Sequence, residues 1–179
     1  MMGNDNLTSN LTLEKKAELI FNDLYNSSEN FLLEMIKDFP SFQLINKEHA
    51  KSVFTIGRIF QLVRFLQSGK FPIEYCRNFL KEIKKVGNLK IPNFQMRVDE
   101  FLKGVDPIKQ ELKIKYKALN DDHLFSLQFA AGYLMFCNLF SRFPSMESED
   151  ELNQISQLTL KSFKKVMNYW GEKKELYFS

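Results

Sequence analysis

Glycine and proline are scarce in this chain, seven and five among 179 residues. Tight turns between strands draw on both, so the shortage excludes an all-β fold strung on short hairpins. Cysteine is rarer still. Cys76 and Cys137 each fall inside an apolar helical pattern and read as core thiols rather than as a disulfide. The two histidines, His49 and His123, stand in no His-Glu-x-x-His or Glu-x-x-His spacing, and no Cys-x-x-Cys occurs. The common zinc and di-iron signatures are thereby removed, and neither a metal nor a cofactor is expected. No Gly-rich loop joins a strand to a helix, which excludes the usual phosphate cradle.

A strong charge of one sign is also lacking. The net charge is +3, supplied by lysine more than arginine. A dedicated nucleic-acid binder presents a denser, arginine-rich face, so nucleic acid is not an expected partner. The first ten residues, MMGNDNLTSN, show no basic segment followed by an apolar run. No secretory signal is read there, and the expected location is the cytoplasm, with signal-less export as an effector compatible with the same residues.

What the chain does hold is phenylalanine, 18 of them, set in helical periodicity. Residues 1–10 read as a disordered polar tail, and 11–179 as one all-helical domain. Apolar stripes predict helices over about 12–25 and 28–39, the second capped by Ser27 or Ser28 and stopped at Pro40. Asn46 caps a long helix ended by Gly69, and Pro72 opens the next, ended by Gly87. A short helix at 94–103 stops at Gly104. The segment 106–119 keeps helical spacing but also alternates at Leu112, Ile114, Tyr116 and Ala118 as a strand would; with no partner strand, helix is chosen. Ser148 and Glu151, in capping-box spacing, open a last amphipathic helix that Gly171 stops.

The most apolar stretch is HLFSLQFAAGYLMFCNLFSRF at 123–143. A membrane span needs about twenty predominantly apolar residues, and Ser126, Gln128, Asn138 and Arg142 interrupt this run. No transmembrane span is expected. On a helical wheel Phe125, Phe129, Tyr133, Phe136, Phe140 and Phe143 fall within a wedge of roughly 80°. Leu124, Leu127, Ala131, Leu134 and Met135 lie opposite. A helix apolar on both faces belongs at the centre of a bundle. The expected fold is therefore all-α, seven or eight helices around the helix at about 122–142.

No residue set reads as catalytic, and the chain leans away from an enzyme. Two candidate sites remain. Phe54 and Phe65 share a side of the 47–67 helix with Lys51 and Arg58, aromatics interleaved with cations as on a contact surface. These four are the candidates for binding another protein, as an adaptor, chaperone-like subunit or effector. The alternative is an apolar small molecule or lipid held between helices against Phe125, Phe129, Tyr133 and Phe136.

Overall fold

The computed structural model describes residues 11–69, 71–115 and 123–178. The expected tail at 1–10 lies outside them. The described residues form six α-helices: α1 (Leu13–Asp38), α2 (Lys47–Ser68), α3 (Ile73–Asn88), α4 (Phe94–Lys115), α5 (His123–Phe140) and α6 (Glu149–Tyr177). A 3₁₀ turn at Pro40–Leu44 links α1 to α2. The all-α class holds, with no strand among the described residues. The part of 106–119 that is described belongs to α4, and residues 116–119 lie outside.

The helix count falls below seven because two expected breaks do not act, and a third expected stop, Gly171, fails to end the last helix. At Ser27 and Ser28 the hydroxyls donate back to the Leu24 carbonyl at 3.1 and 2.8 Å. Side chains so engaged do not compete for the turn's own amides, and α1 runs through. Gly104 sits inside α4, where a Cβ would already touch Leu134 of α5 at 3.3 Å; the glycine lets the two helices approach. Pro107 lies on the exposed side of α4, where water can serve the carbonyl its missing N–H leaves bare. Gly171 is exposed with nothing near it, and α6 continues to Tyr177. Burial of Tyr177 and Phe178 offsets the cost of about 1 kcal/mol for a helical glycine. The Phe178 ring sits 5.0 Å from Trp170 and 5.7 Å from Phe79.

Two sequence-read caps are present as expected. Asn46 accepts from the His49 amide at 3.0 Å, and Ser148 accepts from the Glu151 amide at 3.3 Å. The capping box is only half formed. Glu151 reaches past Ser148 to the Ser145 amide and to Arg142, 2.5 Å away. The Arg142 hydrogen bond holds the Glu151 carboxyl below its ordinary range, and the clamp closes the α5–α6 connection.

The centre of the bundle is α2, not α5. Every residue from Ser52 to Val63 is buried, and all five other helices pack on this one. Helix α5 lies to one side, against α2, α4 and α6. Composition misleads here. Ser52, Thr55, Arg58 and Gln61 make α2 look half-polar, yet all four are interior. Part of that polarity is answered across the helix contacts: Thr55 shares a hydrogen bond with Ser28 at 3.1 Å, and Gln61 Oε1 accepts from Ser162 at 2.8 Å, whereas Ser52 Oγ and Gln61 Nε2 have no partner among the described residues. At the periphery Lys165 pairs with Glu34 at 2.6 Å and Lys161 with Asp38, tying α6 to α1. No helix among the described residues is long and apolar enough to cross a membrane.

Ala130, Ala131 and Gly132 allow the α5–α6 approach. A Cβ on Gly132 would fall 2.0 Å from Thr159 Oγ1 and 3.1 Å from the Ile155 carbonyl. Thr159 is β-branched and its hydroxyl is bound to that carbonyl at 2.8 Å, so it has no free rotamer to retreat into. Gly132→Ala is expected to cost about 1–3 kcal/mol. Gly57→Ala, which meets the Met135 thioether at 2.4 Å, is expected to cost less because that chain can shift. Urea denaturation of both variants checks the order; equal or reversed losses would refute it.

Candidate functional site

The structure separates the residues grouped as a contact surface. Phe54 is fully buried and Arg58 is 1 % exposed, so neither can meet a partner at the surface. The reason is α1, which covers that side of α2: the Phe31 ring packs edge-on to Phe54 at 4.7 Å and lies under the Arg58 guanidinium at 4.8 Å. Lys51 is largely covered, its ammonium 4.2 Å from the Tyr25 ring centre and 3.4 Å from Glu48. Phe65 is half-buried, stacked on Phe163 at 5.4 Å. The four do not make one surface.

Arg58 is a cost to the fold. Its Nη1 donates to Ser27 at 2.8 Å and more weakly to the Leu24 carbonyl at 3.4 Å. Nε and Nη2 have no partner among the described residues. Burial pushes the guanidinium down to about 10, with the nearby Glu34 charge opposing, so it stays charged at neutral pH. A buried charge without full hydrogen bonding is often outperformed by an apolar side chain of similar volume. Arg58→Met is expected to stabilise the chain by about 1–4 kcal/mol, read as a higher Tm; a fall would show that the Ser27 and Phe31 contacts outweigh the desolvation.

The aromatic wedge of α5 is core over most of its length. Phe129 and Phe136 are buried, and Phe140 packs edge-on to Phe42 at 5.2 Å. Tyr133, 8 % exposed, borders a shallow hollow of about 470 Å³ beside Phe143 and Met146. Phe125 lies in α5, but its side chain is outside the described residues. Phe143, past the end of the helix, is exposed.

A deeper feature lies on the other side of α5. Three helical stripes meet there: His49, Val53 and Ile56 of α2; Arg97, Glu100 and Phe101 of α4; and Leu134, Cys137 and Asn138 of α5, with Ser141 just beyond. Each stripe keeps the three- and four-residue spacing of one helix face. They enclose a cleft of about 510 Å³. A smaller hollow of about 240 Å³, bordered by Tyr25, Glu48 and Lys90, shares His49 and Arg97 with it.

Compared with known protein families, curated proteins and solved structures, the chain matches none. Its chemistry therefore rests on the cleft itself.

His49 Nε2 lies 2.8 Å from the Asn138 carbonyl. A carbonyl only accepts, so Nε2 carries a proton and donates to it. Cys137 lines the same cleft, a meeting of thiol and imidazole that the sequence could not show. Burial pushes that thiol up to about 11, so it remains protonated at neutral pH and is not an activated nucleophile. Burial likewise raises the Cys76 thiol. No group of three or more metal-ligating side chains occurs among the described residues. Arg97 is half-buried, and burial lowers its guanidinium against the opposing charge of Glu100. Tyr25 donates to Glu48 at 2.6 Å; burial first, then that hydrogen bond, pushes the phenol up to about 12.

Ser141 has φ of 53°, the left-handed region that favours glycine and strains other residues. It ends α5 at the cleft rim. Relieving that strain, Ser141→Gly is expected to stabilise by about 0.5–1 kcal/mol, whereas Ser141→Ala, which keeps the Cβ, is expected to give no gain. Thermal melts of the pair check this; a gain for alanine equal to that for glycine would refute the backbone explanation.

Proposed function

We propose that this chain is a non-catalytic binding protein whose ligand, a small molecule with an apolar body and a charged head, sits in the α2–α4–α5 cleft. One observation carries the reading. Apolar side chains (Val53, Ile56, Phe101, Leu134) and ionic ones (Arg97, Glu100) face the same space of about 510 Å³. Small-molecule sites run to roughly 300–1,000 Å³ and pair apolar walls with a few placed polar groups. The protonated Cys137 thiol favours holding a ligand over transforming it.

A second reading, an adaptor, chaperone-like subunit or effector that binds another protein, is favoured by the outer face of α6. Leu160 and Met167 are about half exposed there, 52 % and 48 %. They stand two helical turns apart on one face, with Lys164 between them.

A thermal-shift screen of small carboxylates, amines and zwitterions tests the first reading. At least one class is expected to raise the Tm of the native chain. The same compounds are expected to leave Asn138→Trp unmoved, because an indole at that exposed position overhangs the cleft. A screen with no stabilising compound, or with equal shifts in both proteins, refutes it.

A further inference from the structure

Arg97 and Glu100 stand three residues apart on α4, a spacing at which opposite charges on a helix ordinarily pair. Here they do not. Among the described residues neither side chain makes an ion pair or a hydrogen bond, although both line the α2–α4–α5 cleft. Asn138 adds a directional acceptor: its amide nitrogen is committed to the Leu134 carbonyl at 2.8 Å, which leaves Oδ1 available. The polar side of the cleft thus offers one cationic donor and two acceptors that are not bonded to one another. Val53, Phe101 and Leu134 supply the apolar side.

From this arrangement we infer that the ligand is a small zwitterion with an apolar side chain, of the free α-amino acid class. The inference rests on the cleft being the binding site. The planar Arg97 guanidinium matches a carboxylate with two parallel N–H donors. The ligand ammonium donates to the Glu100 carboxylate and to Asn138 Oδ1. Its side chain lies against Val53, Phe101 and Leu134. A ligand carrying only a negative charge meets repulsion from Glu100, and one carrying only a positive charge meets it from Arg97. Only a ligand with both charges satisfies both side chains at once.

The test uses calorimetry and thermal shift on the full chain with leucine, methionine and phenylalanine, each beside its N-acetyl and its amide derivative. At least one free amino acid is expected to bind at roughly millimolar concentration or below, and both its blocked derivatives at least about tenfold more weakly. Arg97→Gln and Glu100→Gln are each expected to weaken the free amino acid by at least about tenfold without lowering the Tm of the unliganded chain. Should the N-acetyl compound bind as well as the free one, and Asn138→Trp abolish both, the zwitterion inference falls and the cleft reading stands. Should none of the nine compounds bind, the inference falls too, and the wider screen decides the cleft reading separately. Binding that survives Asn138→Trp places the amino acid elsewhere and overturns the inference as well.

Discussion

Everything in this fold is arranged around the burial of α2 on all sides. A helix enclosed from Ser52 to Val63 must give each neighbour a surface to pack on and find a partner for each polar group it carries inside. Gly57 meets the first demand, bringing Met135 of α5 close against the α2 backbone. Ser28 and Ser162 meet the second, reaching in from α1 and α6 to Thr55 and Gln61. These are directional contacts, and an apolar core alone would not specify how α1 and α6 sit on α2. At Ser52 and Arg58 the demand is met only in part or not at all: the Ser52 hydroxyl and two Arg58 nitrogens have no partner among the described residues. The Arg58 charge is shared between one hydroxyl, a distant carbonyl, the Phe31 ring and the field of Glu34.

The cleft follows from the same arrangement. Beside the first turns of α2, the start of α4 and the end of α5 bring polar residues to the boundary of the core. Arg97, Glu100 and Asn138 then share a space with Val53, Phe101 and Leu134. Catalysis and binding make different demands on such a place. An activated thiol needs a lowered pKa, whereas burial holds Cys137 protonated. Recognition needs fixed charges and fixed walls. Fixed charges and apolar walls are what the proposed binding reading draws on.

Much of the fold was legible because helices announce their faces and starts locally. Asn46 and Ser148 cap where short-range chemistry says they should, and the Phe129 to Phe140 wedge packs as its spacing implies. The stops were less legible. Ser28, Gly104 and Gly171 weaken a helix on their own, yet contacts to Thr55, Leu134 and the buried Phe178 end accompany the helices through them. Phe54 and Arg58 looked like surface because cations stand beside them in the sequence, and α1, which covers them, lies elsewhere in the chain. The cleft carried no local signal at all. Arg97 and Glu100 lie on a helix expected to be short, and Asn138 registered only as a break in an apolar run.

By itself, then, the sequence determined the all-helical class, two of the helix caps, the apolar character of α5 and the lack of any helix among the described residues suited to span a membrane. These depend on residues within a turn or two of each other, where spacing is enough. Which helix lies at the centre, which charges are buried and which charged side chains line a cleft were decided only by the tertiary structure. The physical reason is that burial belongs to a residue's surroundings in space: α1 encloses Arg58, and α2 and α5 bring Arg97 and Glu100 to a common space, from positions no local pattern connects.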